Sequence, residues 1–170
     1  MKIQNSHKSG FTLVEILLYL GISTVIISTA SFFIISMLQT QARNRVASQV
    51  ETQGVQVLQQ ITQAVRNARQ INTPAAGVTA TSLSVQTVTP ATNPTVFNLN
   101  NGILQLTAGA GAATALHSNT VTASNVQFIN LSRASTPGSV KMQFTLTYNN
   151  PSGRQEYNYS KTFYATASIR

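Results

Sequence analysis

From Phe11 to Leu38 the chain carries one charged residue, Glu15, in about 28 residues, where about 20 apolar residues in a helix suffice to cross a hydrocarbon core. No other stretch constrains the fold as strongly. A carboxylate inside a bilayer costs several kcal/mol by most estimates, so an acid placed there is a functional residue by default and must be matched to a partner. The rest of the 170 residues leaves room for one small domain beside this membrane element.

The formal charge of +8 comes from a scarcity of acids: there is no Asp, and Glu15, Glu51 and Glu156 are the only carboxylates. Arg43, Arg45, Arg66, Arg69, Arg133, Lys141, Arg154, Lys161 and Arg170 are scattered and form no dedicated nucleic-acid stripe. DNA is therefore the least supported of the expected partners, on general phosphate attraction alone. With no cysteine there is neither a disulfide framework nor a thiol metal site, and stability must come from packing.

The N-terminus admits three readings. As a cleaved secretory signal, Lys2 and Lys8 form the basic region and Ser28-Thr29-Ala30 offers a small-residue cleavage site. Against this, the apolar region contains a carboxylate and strong hydrophobicity resumes at Phe32-Phe33-Ile34-Ile35. As a plain signal anchor, Glu15 would sit close enough to the membrane edge to reach the headgroups. The third reading takes the local order: a short basic leader ending Lys8-Ser9-Gly10, then Phe11, with Glu15 as the fifth residue of the apolar run.

That order, Gly10-Phe11-Thr12-Leu13-Val14-Glu15, resembles the class III signal of type IV pilins and type II secretion pseudopilins. The resemblance implies that a membrane-embedded prepilin peptidase cuts between Gly10 and Phe11 and that Phe11 is then N-methylated. It implies an assembly salt bridge between Glu15 and the Phe11 amine of a neighbouring subunit, a pairing that would offset part of the desolvation of both charges. Basic residues flank both ends of the span, Lys2 and Lys8 before it and Arg43 and Arg45 after it, so the positive-inside rule is nearly balanced. The leader resemblance then implies a cytoplasmic N-terminus in the inner membrane, with the remainder outside it, and partners that include other subunits, membrane lipid before assembly and an inner-membrane assembly platform.

Beyond Leu38 the composition turns to Gln, Arg, Ala, Ser and Val, with no proline before Pro74. Val46, Val50, Gly54, Val57, Ile61, Val65, Ala68 and Ile71 recur every three or four residues, which draws one apolar stripe on a helix. Asn72-Thr73-Pro74 reads as its stop, giving a helix of roughly 90 Å from Phe11 to Ile71 at 1.5 Å per residue. A coiled coil would show the same stripe; a sheet-packed helix is favoured because a strand-rich tail follows and needs cover. The segment Gly21 to Phe33 lacks the helix-kinking proline of many major pilins, while Gly21 is a weak point for helix.

Residues 75 to 170 are rich in Thr, Val, Asn and aromatics in short alternating runs, an antiparallel pattern. Asn101-Gly102 marks a two-residue hairpin that pairs Leu99 with Leu104 and Phe97 with Leu106. A second hairpin runs through Val140, Met142, Phe144, Leu146 and Tyr148, turns at Asn149 to Gly153, and returns through Tyr157, Tyr159, Lys161, Phe163 and Ala165. Strands are also expected near Thr81 to Val88 and Val121 to Leu131, the latter with a bulge between Phe128 and Ile129. Pro90 to Pro94 and Thr107 to Ala115 read as surface loops.

The fold class is thus α+β, a long N-terminal helix on a small antiparallel β domain: leader 1–10, membrane or filament-core helix 11–38, amphipathic continuation 39–72, β domain 73–170. The strand near Asn125 to Arg133 and the ending Phe163 to Arg170 are similar to minor pilins and pseudopilins of the J or W type. His117 has no second ligand-type residue nearby and Glu51 and Glu156 fall on different elements, so no metal, cofactor or catalytic constellation is expected. The expected role is a structural subunit of a type IV pilus or a type II secretion pseudopilus. The alternative is a membrane-anchored surface binding module that does not polymerise.

Overall fold

The computed structural model describes residues 10–133 and 138–170, so the leader before Gly10 lies outside the described residues. The chain divides into two compact units, one up to Gln41 and one covering Ala42–Arg170. Helix α1, Leu13–Arg66, contributes to both.

In the first unit the helix is apolar on every side, and its large side chains are exposed, from 52% at Tyr19 and Ile22 to 80% at Phe32. By length and composition it can cross a membrane. Several of its hydroxyls are consumed locally. Thr24 and Ser28 donate to the carbonyls of Leu20 and Thr24, and Ser31 to that of Ile27 at 2.8 Å, which removes the need for water at those oxygens. Helix continues through Gly21 without interruption.

In the second unit α1 buries one stripe: Val46, Val50, Gly54, Val57, Ile61 and Val65. These are the positions that the three-and-four spacing selects. The stripe packs into a core built from two antiparallel sheets, where the sequence suggests a single one. The first sheet has β1 (Ala68–Thr73), β3 (Leu83–Thr87), β4 (Thr95–Asn100), β5 (Ile103–Ala108) and β6 (Thr114–Ala115) in that order. The second has β2 (Thr79–Ala80), β7 (Val121–Asn130), β8 (Ser139–Tyr148) and β9 (Ser160–Ser168). Leu83, Val85, Phe97 and Leu104 from the first sheet meet Phe128, Met142, Phe144 and Leu146 from the second, all but fully buried.

Both hairpins form. Leu99 pairs with Leu104 and Phe97 with Leu106 across the Asn101-Gly102 turn, whose residues both have positive φ, 49° and 77°, as a two-residue type I′ connection requires. Strands β8 and β9 pair Met142 with Ala165 and Phe144 with Phe163. The return strand starts at Ser160; Tyr157 belongs to a short 3-10 turn, Gln155–Tyr157, before it.

Three further expectations need correction. The helix ends at Arg66, not near Ile71, and Ala68 and Ile71 lie on β1. Strand β7 breaks register between Ser124 and Gln127, around Asn125 with its φ of 51°, and not between Phe128 and Ile129. Phe128 and Asn130 both face inward, and buried Asn130 is satisfied by donating to the Pro74 carbonyl at 2.7 Å and accepting from the Ser132 N–H at 3.0 Å. Finally, Thr107 to Ala115 is not all loop: Thr107 and Ala108 complete β5, and Thr114–Ala115 forms β6 against Gln105 and Leu106. Pro90 to Pro94 does connect strands, through a 3-10 turn at Pro90–Thr92.

Candidate functional site

Gly10 and Phe11 precede the helix and are exposed. A side-chain carbon added at Gly10 would meet nothing within 4 Å. Thr12 caps α1: its Oγ1 accepts the Glu15 N–H at 3.3 Å, and its carbonyl accepts the Glu15 and Ile16 N–H groups at 3.1 and 3.2 Å. Glu15 therefore stands in the first helical turn, where unpaired N–H groups present partial positive charge to a carboxylate. One turn on, Tyr19 donates its hydroxyl to Glu15 Oε1 at 3.1 Å, and the Tyr19 ring meets Phe11 edge-on at 6.4 Å. Among the described residues no cation pairs with Glu15.

Thr12 and Tyr19 were not singled out by sequence reasoning. Thr12 was detectable from the Thr-x-x-Glu spacing of a capping box, and Tyr19 from its place four residues after the acid on the same helical face. The Tyr19 hydroxyl and the helix start are the two groups that meet the carboxylate. Neither carries a full positive charge.

The two remaining carboxylates are occupied and stay apart. Glu51, on the outer flank of the helical stripe, accepts from Lys161 Nζ at 2.5 Å and from the Tyr159 hydroxyl at 3.2 Å. The Lys161 hydrogen bond and charge hold the Glu51 carboxyl below the ordinary carboxylate range, and the same bond holds the Lys161 ammonium above the ordinary lysine range. This exposed pair clamps α1 to β9. Glu156 pairs with Arg154 at 2.5 Å, beside the Tyr157 ring over which the guanidinium lies.

A second clamp joins α1 to the turn before β7. Gln53 accepts the Ser118 N–H at 2.8 Å through Oε1 and donates to Thr120 through Nε2 at 3.1 Å. Next to it, His117 is buried and acts as a backbone fastener: Nε2 accepts the Leu104 N–H at 3.0 Å, so the ring proton sits on Nδ1 and is donated to the Ser118 carbonyl at 3.0 Å. Both of its hydrogen-bond partners are backbone groups. Among the described residues no three His, Asp or Glu side chains gather in a metal-binding cluster.

The arrangement that stands out chemically is thus a carboxylate in a capped helix start, followed by an exposed apolar helix. Compared with protein-family models, with curated proteins and with solved structures, the chain finds no match in any of the three.

Proposed function

We propose that the chain is a pilin-like structural subunit, a minor pilin or pseudopilin, that enters the inner membrane through its N-terminal helix. Prepilin peptidase cuts it after Gly10, and it then joins a type IV pilus or a type II secretion pseudopilus. The observation that carries this reading is Glu15: a carboxylate on an exposed apolar helix whose neighbours among the described residues donate one hydroxyl and one helix end, and no cation.

Cleavage at Gly10 would supply the missing charge, because the freed Phe11 amine is a cation. Glu15 lies four residues from Phe11, about 6 Å if the first turn extends to the new N-terminus at 1.5 Å per residue, so a neighbouring helix displaced axially by about that much would present its amine to this Glu15. Attraction between the two in a dry bundle offsets desolvation that neither could bear alone. The apolar surface that faces lipid before assembly then faces like helices. On this reading the chain is structural rather than catalytic, with the bond at Gly10 broken by the peptidase.

The deciding experiment is mass spectrometry of the mature N-terminus. A chain starting at methylated Phe11 is expected; a chain with intact Met1, or one starting at Ser31, sinks the reading. Glu15→Val should reduce incorporation into filaments by tenfold or more, which is about 1.4 kcal/mol of lost pairing, while membrane insertion continues. Unchanged incorporation would remove the salt bridge from the proposal.

A further inference from the structure

Where α1 ends, Arg66 and Asn67 lead into β1, and the ends of β3, β5 and β9 come close by, enclosing a cleft of about 960 Å³. Arg66, Arg69 and Arg170 line it, together with the amides of Gln60, Gln63 and Asn67, and no Asp or Glu side chain does. Leu106, Ala68, Val88 and Ile169 supply its apolar wall. The rim is already fixed by its own bonds: Thr87 and Thr92 share a hydroxyl hydrogen bond at 3.0 Å, and Thr95 donates to the Thr92 carbonyl at 2.8 Å.

We infer that this cleft docks an acidic, amphipathic peptide segment of a partner protein other than a second copy of this chain. Arg66, in the last helical turn, meets the partial negative charge of the helix end, whereas Arg69 on β1 finds no Asp or Glu side chain among the residues that line the cleft. Guanidinium forks pair carboxylates in bidentate fashion, and the apolar wall takes the alternate side chains of an extended segment. A nucleic-acid strand fits poorly, because no aromatic ring lines the cleft for a base to stack on.

Composition argues against a second copy. Glu51 and Glu156 are committed to Lys161 and Arg154, and the third carboxylate, Glu15, lies in the apolar N-terminal segment. With so few acids, two of them already paired, the neutralising charge is assigned to a different, acid-bearing chain. This inference does not depend on processing at Gly10.

The test uses the full chain in zwitterionic detergent and a fluorescent peptide of alternating Glu and Leu, with a Gln-for-Glu copy of that peptide and an oligodeoxythymidine as comparison probes. The acidic peptide should bind, the Gln copy about tenfold or more weaker. Arg66→Gln with Arg69→Gln should weaken acidic-peptide binding by about tenfold or more, as expected for losing charged hydrogen bonds. Lys141→Gln, which removes an exposed cation of β8 outside the cleft, should leave it unchanged. Equal binding of the Gln copy, an equal loss from Lys141→Gln, or tighter binding of the oligodeoxythymidine that the arginine pair abolishes would each overturn the proposal.

Discussion

The two parts of α1 on either side of Gln41 obey opposite rules, although both are regular helix with side chains at the same angular spacing. Before Gln41 large apolar side chains point in every direction and stay exposed; after it only the six positions of one stripe are buried, and glutamines and arginines fill the other faces. The difference lies in where the apolar surface finds its cover. The second part is covered by its own chain, so its sequence is specified residue by residue through packing. The first part finds no cover in its own chain among the described residues, and by length and composition it can cross a membrane.

The contrast predicts unequal responses to truncation. Ile61→Ala, at a fully buried stripe position, should destabilise the second unit by about 2–5 kcal/mol, read by chemical unfolding of the full chain in detergent. Ile27→Ala, 62% exposed in the native chain, should leave that transition within about 0.5 kcal/mol. Comparable losses at both positions would break the distinction.

The two glycines of α1 sharpen it further. A side-chain carbon at Gly54 would come within 2.1 Å of Phe163 Cζ, whereas at Gly21 it would meet nothing within 4 Å. Gly54→Ala should therefore cost about 1–3 kcal/mol through overpacking. Gly21→Ala should raise helix stability by about 0.5–1 kcal/mol, measured as resistance of the first unit's amides to hydrogen exchange. The two substitutions are chemically identical and opposite in sign.

The smallest effect comes from the Glu51–Lys161 clamp. Because the folded-state carboxyl is held below its ordinary value, its contribution is present above that value and fades as pH falls through the lowered one. The Lys161 ammonium, held above its ordinary value, contributes below that value and loses its contribution as pH rises through the raised one. Glu51→Gln should flatten the acid limb of an unfolding-versus-pH profile, and added salt should shrink the wild-type limb toward it, since the pair is exposed.

Much of the second unit was legible because its signals are local. The stripe from Val46 to Val65 follows one period, and the Asn101-Gly102 hairpin combines turn chemistry with matched alternation. The helix end was misread for a physical reason: β1 has register shifts between Ala68 and Gln70 and between Ile71 and Thr73, so its two inward residues stand three apart and imitate helical spacing. In β7 the adjacent apolar Phe128 and Ile129 drew the bulge to the wrong place; the alternation restarts earlier, after Asn125. At the helix start, Glu15 was conspicuous as a lone charge, but its hydroxyl donor Tyr19 looked like another apolar residue of the run. Contacts such as Glu51 with Lys161, 110 residues apart, exist only once β9 lies against the helix.

Gly54 also determines how the helix is indexed on the sheet. The Phe163 ring, stacked on Phe144 at 5.5 Å, fills the space where a side chain is missing. Sliding the helix by one turn, about 5.4 Å, would bring Val50 or Leu58 under the ring in place of hydrogen. One absent methyl group thus works as a keyway, and it blocks the neighbouring settings that the even repeat of valines would otherwise permit.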